Sequence, residues 1–389
     1  AIDSTWVASA MMWDPVNALI QSFTRTKLNN NKEFREMMDM RTNSSNNTVY
    51  ADADGNIAYY HGDFIPKRDT IFDYSKPVDG SNPATDWKGL HTVDEAITVI
   101  NPHNGWIQNC NSTPFTSAAE YSPKVEDYPT YMSTNTENFR GVHAIRLLKK
   151  AKGITLDKLI ETAYDPYLPA FEILIPGLVS AYDASLYKDK SLKEAIDVLR
   201  DWDFAVSKES VAMSLSHYYV NMYLRNGNIP ENIGFMDAIA FAGKESPDKE
   251  RLDIFTKAVN KLSEDFGSWN IPWGEINRYQ RINGDIQQAF NDSLPSRPVG
   301  MTSSWWGALA AYGARSYEGS KRIDGTRGNS FVAIVEFGDR VKAKTILAGG
   351  QSGDPKSPHF DDQTQMYIDV KFKDVAYYKD DVRKRAEKI

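Results

Sequence analysis

The chain has 389 residues, a net charge of −7 and an isoelectric point near 5.5. This length allows a large core and two lobes, and the lack of a basic stripe argues against a nucleic-acid partner. The single cysteine, Cys110, excludes an internal disulfide. No apolar run reaches the roughly 18 residues that a membrane-spanning helix needs.

The first third of the chain predicts helix followed by a β-hairpin. Residues 5–41 place apolar side chains near helical spacing, with a break in the asparagine-rich stretch 27–32. Strands are predicted at 48–51 and 56–60, because Asp54-Gly55 between them is a hairpin turn sequence. We interpret the acidic residues 52 and 54 as turn formers and not as a calcium loop, which would need a closing glutamate.

Residues 99–114 form the stretch around which the functional hypothesis is built. Asn101-Pro102 and Asn104-Gly105 are turn sequences. They precede a predicted strand, 106–111, whose alternation puts Asn109 and Asn111 on one face. A side-chain amide held there could donate a hydrogen bond to an oxyanion. The alternative is that both asparagines only close the turn at the strand end.

The rest of the chain predicts a helical lobe and then a return to strands. Helical periodicity runs from about 137 to 265, with a helix start at Thr155. Residues 267–300 are predicted as loop, 330–337 and 341–347 as antiparallel strands, 361–370 as helix and 379–389 as a charged helix. We therefore expect an α+β fold in four segments: helical 1–47, strands and loops 48–136, a mostly helical lobe 137–266, and returning strands and helices 267–389.

Several segments, in the same order along the chain, resemble the penicillin acylase family of N-terminal-nucleophile hydrolases. That family also includes cephalosporin acylases and acyl-homoserine lactone acylases. The segments are Thr48–Tyr59, Asp86–Leu90, Asn101–Pro114, Trp202-Asp203, Trp273–Glu275 and Gly350–Gln363. The resemblance implies an αββα sandwich with an inserted helical lobe, a protein that is periplasmic or secreted, and amide hydrolysis.

In this family the nucleophile is an N-terminal serine, exposed by self-cleavage of a precursor, whose own amino group acts as the base. Ser4 is superficially similar to that serine, but it lies too close to the Tyr50 segment to match it. We therefore expect this chain to be the carboxyl-terminal part of a β chain and to be inactive alone. Its expected partners are the upstream part of the β chain, an α chain from the same precursor and a small acyl amide.

The resemblance assigns roles to three residues of this chain. Asn111 matches the family's oxyanion asparagine, and Asn109 would support it or be a structural amide. Arg140 matches an arginine near the site, with a helix-surface salt bridge as the alternative. Glu336 is compared with a glutamate that orients a histidine in some relatives, with a water-facing edge-strand residue as the alternative.

A cofactor is not predicted. The family often binds one structural calcium ion, but no ligand set for it can be assigned in this chain. His359 with Asp361 and Asp362 could hold a metal, although this segment is better explained as a turn and helix start.

Two functions remain open from the sequence. In the first, the chain belongs to an amide hydrolase acting on an acylated amine, such as a β-lactam in antibiotic modification or an acyl-homoserine lactone in quorum quenching. The segments at 107–111 and 350–359 are slightly closer to the lactone and cephalosporin acylases than to penicillin G acylases. In the second, the chain is a non-catalytic binding or scaffold module that retains the fold.

Overall fold

The computed structural model describes residues 14–42, 46–186 and 188–386. They form two compact units, one of the described residues up to 137 with 337–340, the other of 138–336 with the described residues from 341 onward. Small sheets and a long helical stretch follow one another along the chain, which confirms the α+β class. The finer division into four segments stays a prediction, and the part of the first predicted helix before residue 14 lies outside the described residues.

The described part of the first unit contains two α-helices and a small antiparallel sheet. Its elements are α1 (Pro15–Thr24), α2 (Asn31–Met38), β1 (Thr48–Ala51), β2 (Ile57–Tyr60) and β3 (Thr98–Ile100), with sheet order β1-β2-β3. Met37 and Met38 of α2 pack with Ala58 and Tyr60 of β2. The predicted hairpin is confirmed, whereas the three-residue β3 is too short to show an alternation in sequence.

The turn between β1 and β2 is held by side chains, as predicted. The Asp52 carboxylate accepts hydrogen bonds from the Asn56 backbone N–H at 2.9 Å and from the Asn56 side-chain amide at 3.0 Å. Gly55 adopts a φ of +85°, where a side chain would be strained. The acidic residues here therefore serve turn geometry.

Over its described residues up to 266, the second unit has seven α-helices. They are α3 (Phe139–Leu148), α4 (Leu156–Ala163), α5 (Pro169–Ala184), α6 (Lys193–Arg200), α7 (Val211–Asn226), α8 (Phe235–Ala240) and α9 (Asp248–Phe266). Thr155 caps α4 by accepting from the Lys158 N–H, which confirms the predicted helix start. Fully buried aromatic residues such as Phe171, Tyr219 and Phe255 form the core between these helices.

Helix α5 lies unusually close to the π-helical turn 241–245 that follows α8. A Cβ atom built on Gly177 would lie 1.8 Å from the carbonyl oxygen of Gly243, and one built on Gly243 would lie 2.3 Å from the carbonyl oxygen of Ile173. Only glycine at both positions allows the two backbones to approach this closely.

The second unit ends with strands and short helices. They are α10 (Trp273–Ile276), β4 (Asn277–Tyr279), β5 (Arg297–Pro298), β6 (Tyr312–Arg315), β7 (Ile323–Gly328), β8 (Phe331–Glu336), β9 (Lys342–Leu347), α11 (Thr364–Ile368), β10 (Lys373–Asp374) and α12 (Lys379–Arg385). The β8–β9 hairpin is confirmed in antiparallel register. The interpretation of 267–300 as loop is wrong for α10, β4 and β5, and α11 is shorter than predicted.

Asp324 on β7 is a buried carboxylate, with only 3% of its surface exposed. Burial raises its pKa from 3.8 to about 6; the nearby Asp292 adds to this, while Arg278 and Arg322 oppose it. Between pH 4 and pH 6 the folded state therefore holds a proton that the unfolded state releases. The resulting stabilisation is fully present below about pH 4 and is lost as the pH rises through about 6.

We expect Asp324→Asn to abolish this pH dependence, because the amide keeps the shape of the acid without its charge. The unfolding free energy of the variant minus that of the parent should increase by up to about 3 kcal/mol as the pH rises from 4 to 7. Urea unfolding of both proteins at the two pH values measures the difference. An equal effect of the substitution at both pH values would contradict the assignment.

Within the described part of the chain, no helix is both long enough and apolar enough to cross a membrane.

Candidate functional site

The loop that carries Asn111 begins with a sharp bend directly after β3. Asn101 takes a φ of +47°, and its side-chain oxygen accepts from the backbone N–H of Ile57 at 2.8 Å. Its side-chain NH2 donates to Asn56 Oδ1 at 3.0 Å. Gly105 has a φ of +74°, so both predicted turns are present and the first is tied to the neighbouring strand.

Residues 106–111 do not form the predicted strand. It pairs with no strand of the described ranges and is held by Gln108, which is 6% exposed. The Gln108 backbone N–H donates to the Ser117 carbonyl at 2.8 Å, and its side-chain oxygen accepts from the Cys110 N–H at 3.0 Å. A buried side chain thus takes the place of a strand ladder, while Asn109 and Asn111 both still reach one cleft.

Asn111 is exposed and has a φ of +55°, a left-handed conformation that asparagine tolerates better than most residues. The following Ser112 is 2% exposed, and Pro114 is also buried. The backbone is therefore anchored immediately after Asn111, and the carboxamide is presented at the cleft surface. Such a group can donate an N–H to a developing oxyanion, and it also suits the turn.

Asn109 is part of a local amide network. Its side-chain oxygen accepts from the Asn47 side-chain NH2 at 3.3 Å, and the Asn47 oxygen accepts from the Gly62 N–H at 3.0 Å. These bonds join the loop to the segment before β1 and to the turn after β2. They favour the structural interpretation of Asn109.

The cleft has a volume of about 720 Å3 and is lined entirely by residues of the first unit. Asparagine is the commonest lining residue. The polar and charged side chains that line it are Arg25, Asn46, Asn47, Thr48, His61, Arg68, Asn109, Asn111, Tyr131, Ser133, Thr134 and Asn135. Among the described residues that line the cleft, none is aspartate or glutamate. The cleft is therefore polar and positively charged, which suits an anionic or strongly polar ligand.

The cleft residues that the sequence analysis did not single out include His61 and Arg68. His61 is 8% exposed, its Nδ1 lies 2.8 Å from the Tyr59 hydroxyl, and burial lowers its pKa, so the imidazole is neutral near pH 7. The Arg68 guanidinium lies 5.1 Å from the ring centroid of Tyr74 and 5.8 Å from that of Tyr131. The sequence offered one indication of a functional role for these two residues. Both follow β2 in an irregular loop, and binding residues often lie on loops.

Arg68 is also incompletely satisfied. Its Nε is buried without a hydrogen-bond acceptor among the described residues. A buried guanidinium N–H without an acceptor is costly, and a ligand oxygen could fill that place.

The other two predicted site residues lie in the second unit. Arg140 is the second residue of α3 and is partly buried, and its role stays a prediction. Glu336 ends β8, is 43% exposed and forms an ion pair of 2.7 Å with Lys342 in the facing strand. This pairing favours the water-facing interpretation of Glu336.

A metal centre has no support in the part of the chain that the structure describes. His359 is 69% exposed, with its Nδ1 2.9 Å from a carboxylate oxygen of Asp362. Across the described ranges, no group of three or more histidine, cysteine, aspartate or glutamate side chains is placed to hold an ion.

Comparison with known proteins finds penicillin G acylases that are similar to this chain. It is 22% identical over 395 residues to the penicillin G acylase of Escherichia coli, covering 88% of this chain and 44% of that protein. It therefore spans less than half the length of this relative. Its fold is similar to that of a thermostable penicillin G acylase from Alcaligenes faecalis in orthorhombic form, with a TM-score of 0.62 and 19% identity over 97% of this chain and 73% of that chain. The sequence model of the penicillin amidase family matches residues 2–384, and the chain therefore belongs to that family.

Proposed function

We propose that this chain is part of an amide hydrolase that acts on acylated amines, with Asn111 donating to the oxyanion. The observation that carries the proposal is the exposed carboxamide of Asn111, held at left-handed φ on an anchored loop in a 720 Å3 cleft. Membership of the penicillin amidase family supports the reaction class.

The proposed reaction uses a nucleophile from another segment of the precursor, an N-terminal serine. The serine oxygen attacks the amide carbon and its proton passes to the serine α-amino group. The Asn111 N–H stabilises the negative charge on the former carbonyl oxygen. The C–N bond then breaks as the amine takes the proton, and water hydrolyses the acyl ester.

The upstream β-chain segment and an α chain are the proposed partners, and export to the periplasm or secretion is part of the same proposal.

The charges of the cleft favour one of the two substrate classes considered. Arg25 and Arg68 line it, and none of the described lining residues is acidic. A β-lactam of the penicillin or cephalosporin type carries a carboxylate, whereas an acyl-homoserine lactone is neutral. A guanidinium forms its strongest hydrogen bonds with carboxylates. We therefore propose an acylated amine that carries a carboxylate as the substrate.

We expect Arg68→Gln to raise KM about tenfold or more for a carboxylate-bearing acyl amide, because a charge-assisted hydrogen bond is lost. The kcat should change little, since the carboxylate lies away from the reacting bond. Steady-state kinetics with the acid and with its uncharged methyl ester separates the two effects. Lys124→Gln, which removes an exposed cation of the same unit outside the cleft lining, is the matched control. Equal KM changes for acid and ester would exclude carboxylate recognition by Arg68.

The function itself is tested on the full product of the gene from which this chain comes. The purified protein is incubated with N-acylated chromogenic amines, and release of the amine is followed. Steady release, with an acyl-enzyme visible by mass spectrometry after rapid quenching, is expected. Binding of the same compounds without release would instead support the scaffold alternative.

A further inference from the structure

The second unit contains a cleft that shares no residue with the one lined by Asn111. It has a volume of about 390 Å3 and is lined from α7, α9, β6 and the segment that leads into β7. Its volume lies within the range of small-molecule sites. We call it the α7–α9 cleft.

Positive charge dominates the lining of the α7–α9 cleft. Arg225, Lys261, Arg315 and Lys321 line it, and Asp265 is the one acidic residue among the described residues of the lining. The whole chain carries a net charge of −7, so this local excess runs against the overall composition. Clustered cations repel one another unless counter-charges are near.

The single carboxylate is already engaged. Asp265 forms an ion pair of 2.7 Å with Lys261 and accepts a hydrogen bond of 3.2 Å from the Tyr218 hydroxyl. It is only 12% exposed, so both interactions are partly shielded from water. Asp265 therefore offsets Lys261 and forms no ion pair with the other three cations.

The side-chain charges of those three residues form no ion pair within 4 Å among the described residues, and Asp292 accepts only from the backbone N–H of Lys321, at 2.8 Å. Arg225 lies in the last turn of α7 and is exposed, as is Lys321. The Arg315 Nε donates to the Tyr317 hydroxyl at 3.1 Å, and its guanidinium lies 5.0 Å from that ring's centroid. A neutral partner thus orients Arg315 while its charge stays available.

The lining also has an apolar part. Met222, Ala314 and Ile323 line the cleft beside His217, whose ring lies 4.9 Å from that of Trp273. Burial, with the nearby Arg225 adding to it, lowers the pKa of His217 to about 4, so this imidazole adds no charge near pH 7. Apolar walls with converging cationic groups are typical of sites for organic anions.

We propose that the α7–α9 cleft binds a small multivalent oxyanion, held by Arg225, Arg315 and Lys321. The shared chemistry is that of a phosphoryl group or of several carboxylates on one small molecule. Bound there, the anion neutralises three cations whose side chains form no ion pair among the described residues. This proposal does not depend on the proposed amide hydrolysis.

Calorimetric titration of the intact protein with inorganic phosphate and with citrate, in a chloride buffer of low ionic strength, tests the proposal. One-to-one saturable binding of at least one anion is expected, with an affinity that falls as sodium chloride is added. Tighter binding of phosphate would identify the phosphoryl group as the preferred chemistry, and tighter binding of citrate the carboxylates. Failure of both anions to saturate would overturn the proposal.

A charge-neutral variant ties the binding to this cleft. Arg225→Gln combined with Arg315→Gln should weaken the bound anion's affinity about tenfold or more, because two charge-assisted contacts are lost. Lys257→Gln is the matched control, since Lys257 is exposed on α9 one turn before Lys261 and does not line the cleft. An equal loss in both variants would show non-specific charge attraction and would overturn the assignment. If the double variant does not fold, the titration of the parent protein still decides whether the protein binds an anion.

Discussion

Replacing Asn111 with glycine is expected to lower kcat by about 100- to 1000-fold in the enzyme assembled from the full gene product. The side-chain amide is proposed to act mainly in the transition state, so KM should change little. Steady-state kinetics on an acylated amine measures both constants. The substitution suits this backbone, because glycine adopts the φ of +55° at this position without strain.

Glycine separates the two interpretations of Asn111 more sharply than alanine does. Alanine would add left-handed strain of about 1 kcal/mol as well as removing the amide. If Asn111 only closes the turn, Asn111→Gly should retain full activity, and that result would remove the residue from the mechanism.

A second asparagine provides the matched control for this substitution. Asn232 is also exposed and has a φ of +62°, but it lies in the second unit and outside the cleft lining. Asn232→Gly should leave kcat unchanged. The melting temperatures of the parent and both glycine variants should agree closely. Such agreement would show that the fall in kcat of Asn111→Gly comes from the missing amide and not from unfolding.

Replacing Gly177 with alanine is expected to destabilise the second unit by about 3 kcal/mol or more. The added Cβ would meet the backbone oxygen of Gly243, which no rotamer change can move aside. Helix α5 must shift away from the π-helical turn, and the packing of Leu174 and Ile175 in the core shifts with it. Loss of helical circular dichroism at a lower temperature than in the parent measures the effect.

Gly353 provides the control for this prediction. A Cβ built on it has no heavy atom within 4 Å, and its φ lies outside the left-handed range. Gly353→Ala should have the same melting temperature as the parent. If Gly177→Ala melted with the parent as well, the close approach of α5 and the turn would not limit stability.

The sequence predicts the parts of the fold that local contacts decide. The β1–β2 and β8–β9 hairpins each join strands that are neighbours along the chain, so a turn sequence and an alternation suffice to recognise them. The sheet of order β5-β4-β7-β6 is different, because β4 pairs in parallel with the distant β7. Nothing in either short segment reveals that partner.

The candidate site also has a part that the sequence predicts and a part that it does not. The residue pattern and the family resemblance single out Asn111 and the bend before it. They do not indicate that Arg25, His61 and Arg68 line the same cleft, because these side chains come from separate stretches of the chain. The hydrogen bond from Asn47 to Asn109 joins residues 62 positions apart and shows how the wall is assembled.

By itself, the sequence determined the family, the α+β class and the local hairpins, and it singled out the asparagine on which the proposed mechanism depends. Each of these rests on the order and spacing of residues within a short stretch. Only the tertiary structure decided that residues 106–111 are a loop held by the buried Gln108, and that cationic side chains gather in two clefts. Those features depend on which distant segments pack together, and the free energy of that packing belongs to the whole core.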